Sequence, residues 1–284
     1  MQKSGTAGEA VSGIRRSGRA LAVAGLCLLL WSCGLIDEDQ TEYFEQPVET
    51  LYNNAMNAMQ AGQLSEAARL FDEVERQHPY STWAAKAQLM AAYANYQDNA
   101  YDEAINALDR FIQLHPGNKD IAYAYYLRAI SFYEQISDVR RDQRATQQAL
   151  TALDELARRF PDSRYTRDAA LKIDLARDHL AGKHMDIGRY YLGQGEFLAA
   201  INRFQLVIKD YQTTTHVPEA LHRLVESYLA IGVTDEAQST AAVLGHNYPG
   251  SAWYADSYVL LTGIDLRPEE TTDSWISRVW KSII

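Results

Sequence analysis

Thiols are scarce in this chain, and its two cysteines, Cys27 and Cys33, both lie near the amino terminus. Disulfides and cysteine-based zinc sites are therefore excluded from the long remainder. The sequence also lacks the G-x-S-x-G, H-E-x-x-H and glycine-rich phosphate-binding motifs of common active sites. His179 and His184 are five residues apart and do not share a helical face that could bind a metal. We expect neither an enzyme nor a bound metal or cofactor.

Positive charge is also in short supply. The chain has 27 Lys and Arg residues against 37 Asp and Glu residues, a formal net charge of −10. Four of those cations and one of those anions precede Cys33, which leaves −13 for the rest. Because such a chain repels a phosphate backbone, nucleic acid is not an expected partner.

One apolar run, residues 21–30, follows three arginines near the amino terminus. It is too short for a permanent membrane-spanning helix, and its basic lead is typical of a signal peptide. The run ends in LWSCG, which resembles the lipobox of bacterial lipoproteins apart from the bulky Trp31. We predict that residues 1–32 are a signal peptide and that Cys33 carries N-acyl and S-diacylglycerol lipid. A signal peptide without lipid, cleaved elsewhere, is the alternative.

The residues behind Cys33 predict where the protein is anchored. By the same resemblance, Gly34 in place of aspartate favours sorting to the outer membrane, and several acyl chains on one cysteine would hold the protein there stably. Residues 37–47 are acidic and poor in aliphatic side chains. We therefore interpret residues 33–50 as the lipidated cysteine and a flexible tether, with the body facing the periplasm.

A repeated pattern begins at Leu51: an alanine, a large or small apolar residue four positions later, and then a proline. Alanine lets two helices cross closely, and proline ends the second helix. The successive sets are Ala67, Phe71 and Pro79; Ala104, Leu108 and Pro116; Ala149, Leu153 and Pro161; Ala200, Phe204 and, instead of proline, Gln212; and Ala237, Ala241 and Pro249. The pattern predicts an all-α tetratricopeptide-repeat solenoid of five helix-hairpin units over residues 51–264.

Polar residues behind these repeat ends are predicted to cap the next helix. They are Ser81, Asn118, Ser163 and Ser251, with Thr213 in the fourth unit. An insertion from Ser137 to Gln147 separates the two helices of the third unit, and it is either a solvated loop or a docking loop.

Residues 265–284 read as a linker and a short amphipathic helix. Its apolar residues recur at helical spacing and are Trp275, Ile276, Val279, Trp280 and Ile283. Such a helix can lie on a membrane, dock into a partner or fold back on the repeats, and the sequence does not choose between these.

The first helix of each unit lines the concave face of a tetratricopeptide array. In units one to three the predicted positions are Tyr52, Met56, Met59, Leu89, Tyr93, Tyr96, Tyr126, Ile130 and Tyr133. Aromatic and methionine side chains suit an extended peptide of variable sequence. The alternative is that these side chains only pack between repeats.

The corresponding positions of the last two units are more polar: Met185, Arg189, His222, Glu226 and Leu229. Arg203, on the second helix of unit four, is a further candidate for a protein contact, although exposed arginines are often only solvated. We expect the two halves of the solenoid to bind different partners.

Six segments resemble the BamD (ComL) family of outer-membrane assembly lipoproteins. They are HPYS at 78–81, ALDRFI at 107–112, RDQ at 141–143, RFPDSRY at 159–165, GRYY at 188–191 and AINR at 200–203. The resemblance extends over Leu51 to Leu261 and implies a non-enzymatic subunit of the β-barrel assembly machine. Its implied partners are the POTRA domains of BamA, other lipoproteins of that machine and unfolded outer-membrane proteins.

The same resemblance assigns roles to the two halves. The first three units would receive the C-terminal, aromatic-ending segments of unfolded outer-membrane proteins. The last units would contact BamA, with Arg203 at the place of a family arginine and with Arg189, His222 and Glu226 beside it as candidates. A tetratricopeptide lipoprotein that scaffolds pilus or secretin assembly, or one linked to peptidoglycan, is the alternative.

Overall fold

The computed structural model describes residues 45–263, which contain eleven α-helices and no strand. The helices are α1 Val48–Gln60, α2 Leu64–Gln77, α3 Thr82–Gln97, α4 Tyr101–Leu114, α5 Ile121–Tyr133, α6 Arg144–Arg159, α7 Arg164–Gly193, α8 Phe197–Asp210, α9 Val217–Ala230, α10 Thr234–Asn247 and α11 Ala252–Thr262. Successive pairs from α1/α2 to α9/α10 pack as five hairpins, and α11 packs on α9 and α10. The predicted five-unit solenoid is confirmed.

Several predictions concern residues outside this range. The signal peptide, the lipidated Cys33, most of the tether and the C-terminal amphipathic helix all lie beyond the described residues. Helix α1 begins at Val48, three residues before the predicted start of the repeats. None of the helices between residues 45 and 263 combines the length and the apolar character needed to cross a membrane.

The repeat residues form the core of each hairpin. The alanines at the five repeat positions are fully buried, as are Phe71, Leu108, Leu153 and Phe204. Because alanine has no side chain beyond Cβ, the helix axes come close, and the large residue one turn later fills the space between them. This packing explains why one short pattern specifies a hairpin in each unit.

The two helices of units one, two, four and five are joined by a tight turn. One residue of each turn has a positive φ: Gly62 at 75°, Asn99 at 60°, Gly195 at 76° and Gly232 at 79°. Glycine or asparagine adopts this left-handed conformation at low cost at a helix end. The third unit has its insertion at the same place.

The helix caps were predicted correctly at three serines. Ser81, Ser163 and Ser251 each accept a hydrogen bond from the backbone N–H two residues later. Asn118 accepts from the N–H of Asp120, immediately before α5. The prediction for Thr213 was wrong, because without a repeat proline the turn runs on to His216 before α9 begins.

Helix α7 is the longest of the described helices, with 30 residues. Its first half packs against α5 and α6, and its second half pairs with α8 and contacts α9. Units three and four are therefore joined by one continuous helix. The long alanine spacing before unit four reflects this helix, which the sequence pattern did not predict.

The insertion in the third unit begins and ends earlier than predicted, since α5 ends at Tyr133 and α6 begins at Arg144. It packs against α7: Lys183 Nζ donates to the carbonyl of Arg140 at 2.9 Å. The side-chain amide of Gln143 donates to the carbonyls of Asp138 and Val139 within the loop. The loop is therefore ordered by hydrogen bonds to itself and to α7.

Candidate peptide-binding site

Five tyrosines from three successive units form one partly exposed surface. They are Tyr93 and Tyr96 on α3, Tyr123 and Tyr126 on α5, and Tyr165 on α7. The rings of Tyr126 and Tyr165 stack with centroids 5.0 Å apart, and those of Tyr123 and Tyr165 are 5.4 Å apart. We call this surface the tyrosine face.

The helices position these rings by their spacing. Tyrosines three residues apart on α3 and on α5 lie on one side of each helix, and adjacent first helices bring the two pairs together. Leu89, Ala92, Ala124 and Leu127 are buried in the core beneath them. The tyrosine face is therefore supported by the same packing that builds the hairpins.

Polar partners hold several of the phenols in place. Tyr126 Oη donates to Asp168 Oδ2 at 2.7 Å, and Lys172 Nζ lies 3.0 Å from the same carboxylate oxygen. Gln97 Nε2 donates to Tyr93 Oη at 2.9 Å. Because tyrosine rings are apolar while their hydroxyls hydrogen-bond, the face offers both kinds of contact to a ligand.

The pKa values of two of these phenols, Tyr123 and Tyr126, are raised. Burial raises the pKa of Tyr123 to about 12, with a smaller contribution from the neighbouring phenols of Tyr93 and Tyr165. Burial and the hydrogen bond to Asp168 raise the pKa of Tyr126, and that hydrogen bond lowers the pKa of Asp168. At neutral pH Tyr123 and Tyr126 are therefore uncharged hydrogen-bonding groups.

Three of the residues predicted to line a groove are instead part of the interior. Tyr52, Leu89 and Ile130 are only 5%, 8% and 7% exposed. Tyr52 packs between Phe71 and Trp83, with ring centroids 5.4 and 4.8 Å away. For these three, packing between helices is the correct interpretation.

The other predicted positions remain accessible. Met56 and Met59 are partly exposed and pack against the core of the first unit, and Tyr133 is partly exposed beneath the Lys172 ammonium. The remaining three, Tyr93, Tyr96 and Tyr126, belong to the tyrosine face itself. A role of these six in binding a peptide stays a prediction.

Sequence reasoning missed Tyr123, Tyr165 and Asp168. Tyr123 lies three residues before Tyr126, so helical spacing alone could have placed it on the same side of α5. Tyr165 and Asp168 stand in the first turn and a half of α7, whose start was predicted from the Ser163 cap. Only the position of α7 against α5 brings them to the tyrosine face.

A second cluster in the last two units consists of charged side chains. Arg189 on α7 donates two hydrogen bonds to the carboxylate of Glu219 on α9, at 2.8 and 2.7 Å. Arg223 lies 3.5 Å from Glu219 and 2.7 Å from Glu226, and His222 Nε2 lies 3.6 Å from Glu226. We call these five residues the ionic network.

Two of the predicted residues of this half are buried. His222 is 4% exposed, its Nδ1 lies 2.8 Å from Ser257 Oγ on α11, and Trp253 packs against its ring. Met185 is fully buried in the core beside Phe204. Neither side chain is available as a surface contact, since α11 covers the first and α8 the second.

Arg203 differs from the arginines of the ionic network. It is partly exposed on α8, and among residues 45–263 it forms no hydrogen bond or ion pair. Burial of His184 lowers its pKa, and the charge of Arg203 lowers it further. Within the described residues, no group of three or more His, Cys, Asp or Glu side chains is arranged to hold a metal ion.

Comparison with known proteins extends the sequence resemblance. The YfiO family model, described as outer membrane lipoprotein, matches residues 44–244. Outer membrane protein assembly factor BamD of Caulobacter vibrioides is 54% identical over 226 residues, covering 80% of this chain and 74% of the relative. The protein of the same name from Rickettsia prowazekii is 45% identical over 242 residues, covering 85% and 95%.

Solved structures of repeat proteins resemble the chain only distantly. A thermophilic tetratricopeptide protein of Thermus thermophilus aligns over 76% of this chain and 98% of its own, at 19% identity and a TM-score of 0.33. That similarity is too low to support an argument, so the fold rests on the helices described above. The family match and the relatives, taken with the five hairpins, show that the chain belongs to the BamD family of outer membrane lipoproteins.

Proposed function

We propose that this protein is a non-enzymatic lipoprotein subunit of the outer-membrane β-barrel assembly machine. Its membership of the BamD family supports this role. Lipid on Cys33 would hold the repeats at the periplasmic side of the outer membrane.

The membership is tested by purifying the tagged protein from its own cells in detergent and identifying what co-purifies by mass spectrometry. A barrel protein with POTRA domains, in near-equal amount, is the expected result. Recovery of pilus or secretin components without such a barrel would contradict the assignment.

The tyrosine face would bind the C-terminal segments of unfolded outer-membrane proteins in an extended conformation. The observation that carries this proposal is the joining of five tyrosines from three units into one neutral, partly exposed surface. Rings would pack against aromatic side chains of the segment, and phenols would hydrogen-bond its backbone. Arg164, whose guanidinium carbon lies 4.8 Å from the centroid of the Tyr165 ring, would pair with its terminal carboxylate.

A double substitution tests this assignment. Tyr93→Ala with Tyr96→Ala should weaken binding of a labelled peptide that ends in phenylalanine by roughly tenfold or more, because aromatic contacts often dominate such surfaces. Fluorescence anisotropy gives the affinity, and circular dichroism checks that helicity is retained.

The matched control is Tyr80→Ala, since Tyr80 is fully exposed and lies outside the tyrosine face. Unchanged affinity in the double variant, with native helicity, would reject the assignment. An equal loss of peptide affinity in Tyr80→Ala would show that the peptide binds exposed tyrosines wherever they lie on the surface.

The last two units would contact the POTRA domains of BamA through Arg203. Its charge has no internal partner within the described residues, whereas Arg189 is held by Glu219. Arg203→Glu should weaken binding to purified POTRA domains by roughly tenfold, because it replaces an attraction by a repulsion. The control is Arg158→Glu, at an exposed arginine of α6. An equal loss of affinity in both variants would mean that net charge, and not the place of Arg203, determines binding.

A further inference from the structure

Two grooves occupy the same place in different repeats. One lies between α4, α5 and α6 and has a volume of about 640 Å³. The other lies between α8, α9 and α10 and has a volume of about 1000 Å³. We call them the polar groove and the apolar groove, because their linings differ in chemistry.

The linings correspond residue by residue once the repeat alanines are matched. Asp109, Arg128, Phe132, Thr151 and Glu155 of the polar groove stand at the positions of Gln205, Leu224, Tyr228, Ser239 and Val243 of the apolar groove. The helices of the two sites thus correspond, while Asp142 and Gln143 of the insertion line the polar groove alone.

The polar groove is bridged by one arginine. Arg128 on α5 reaches Asp109 on α4 at 2.8 Å and Glu155 on α6 at 2.7 Å. Its side chain is only 16% exposed, so the bridge runs along the bottom of the groove. Three of the charged side chains of this groove are therefore paired with one another.

The apolar groove has no such bridge, since its equivalent residues are Gln205, Leu224 and Val243. Gln205 Nε2 donates to Tyr228 Oη at 3.0 Å. The rest of the lining consists of five aliphatic residues, Leu206, Ile208, Leu221, Leu224 and Val243, and five polar ones, Asn202, Lys209, Gln212, Ser239 and Thr240. Leu224 is buried at its floor, while Tyr228 and Val243 are partly exposed. An apolar channel between helices is suited to the apolar side of another helix.

The end of α11 packs on the same small cluster as one residue of this groove. Leu261 of α11 and Tyr228, which lines the apolar groove, both pack against Val225, Ala237 and Ala241. Trp275 follows Gly263 by twelve residues, which can span up to about 40 Å when extended. The C-terminal segment is therefore long enough to reach the groove from its exit point.

The chemistry of that segment matches the groove. Its sequence places Trp275, Ile276, Val279 and Trp280 at helical spacing, with Arg278 and Lys281 set off from them. The first turn of α10, one turn before the lining residue Ser239, carries exposed Asp235 and Glu236. Apolar residues would fill the channel while the basic residues met these carboxylates.

We propose that residues 264–284 fold back and dock in the apolar groove of their own chain, with the two tryptophans between α8 and α10. The segment acts as an additional helix for the last two units. The sequence left three possibilities for the amphipathic helix: a membrane surface, a partner protein or the repeats of its own chain. The proposal selects the repeats.

Disulfide trapping in the full-length lipoprotein tests the proposal. Cleavage of the signal peptide removes Cys27 and acylation occupies Cys33, so Ser239→Cys and Ile276→Cys supply the two free thiols and should form an intrachain disulfide in mild oxidant. The matched control places the first cysteine at Thr151, the equivalent position of the polar groove. We expect the Ser239 pair to react at least about tenfold faster, because docking raises the local concentration of the second thiol.

A charge placed in the groove gives an independent readout. Val243→Asp should slow the Ser239 disulfide by roughly tenfold, since a carboxylate opposes burial of tryptophan. Gln147→Glu, in the polar groove, should leave its rate unchanged, and circular dichroism verifies that both variants keep their helicity.

Three results would overturn the proposal. Equal rates in the two grooves would show that the segment moves without docking. Disulfides only between chains, mapped by mass spectrometry, would assign the groove to a second copy. Quenching of Trp275 and Trp280 fluorescence by brominated lipid, without the Ser239 disulfide, would assign the segment to the membrane.

Discussion

The tyrosine face and the ionic network are built on the same kind of hairpin and present opposite kinds of surface. The tyrosine face consists of neutral rings whose hydroxyls are partly held by neighbours. At corresponding positions of the last units, Arg189, Glu219, Arg223 and Glu226 neutralise one another. The buried repeat residues therefore determine the backbone, and the exposed residues of the first helices are free to vary.

The same difference bears on how each half can bind a partner. Neutral phenols can exchange water for a peptide at little cost, because they lose no charge solvation. Charges already paired within the protein must be separated before a partner can use them. Binding through the last units is therefore expected to depend on groups outside the ionic network, such as Arg203.

The largest expected effect comes from Gly188→Ala. An added Cβ on α7 would lie within 2.9 Å of three atoms of the Phe204 ring, so α7 and α8 would be forced apart. We expect a loss of about 3 kcal/mol in the free energy of unfolding, the upper part of the range for overpacking. Hydrogen exchange should accelerate in α8 to α10 much more than in α1 to α4, because each repeat contacts only its neighbours.

Gly193→Ala is the control for this substitution, since a Cβ there meets no atom within 4 Å. It should stabilise the protein by about 0.5 kcal/mol through the unfolded state. If Gly188→Ala accelerated hydrogen exchange uniformly along the whole chain, the two halves would unfold as one unit. Their different surfaces would then correspond to no difference in local stability.

A smaller effect is expected at Glu219, and it should depend on pH. Burial opposes the charged form, but the hydrogen bonds and charges of Arg189 and Arg223 outweigh it and lower the pKa of Glu219 below 4.5. A lowered pKa stabilises the fold above pH 4.5, and that stabilisation is lost as pH falls through the folded-state value. Glu219→Gln should therefore cost about 1.5 kcal/mol at pH 7 and progressively less in acid.

Urea unfolding monitored by circular dichroism at a series of pH values measures this dependence. Tyr126→Phe, which removes the hydrogen bond to Asp168 without removing a charge, serves as the comparison in the first half. Its effect should change less between pH 7 and pH 4.5, and a pH-independent cost at Glu219 would mean that the ionic network contributes by packing alone.

The smallest of these effects concerns helix caps. Ser163→Ala removes the side-chain acceptor for the Tyr165 N–H and should cost about 1 kcal/mol. Thr213→Ala should be nearly neutral, because its side chain caps no helix. The thermal midpoints of the two variants provide the test, and equal shifts would contradict the helix start that the structure gives to α9.

The sequence predicted the hairpins because their determinants are local. An alanine such as Ala67, a filler such as Phe71 and a capping Ser81 lie within one unit and can be recognised without knowing the rest of the fold. Thr213 shows the limit: the fourth unit lacks its proline, and nothing local indicates that the turn continues to His216.

The surface was harder to predict, because it depends on how units stack. Tyr52 and His222 have the right spacing to face a ligand, but each is covered by a tryptophan from a later helix. Trp83 of α3 packs on Tyr52, and Trp253 of α11 packs on His222. Conversely, Tyr165 joins the tyrosine face only because α7 crosses α5 at that point. These relations arise between units, where one sequence without an alignment carries little information.

Helix α7 has a mechanical consequence. It is continuous over 30 residues, about 45 Å, and it carries Tyr165 and Asp168 near one end and Arg189 near the other. A helix bends only at the expense of its own hydrogen bonds, so α7 forms a stiff connection between units three and four. The tyrosine face and the ionic network are therefore joined by one continuous helix with no turn between them.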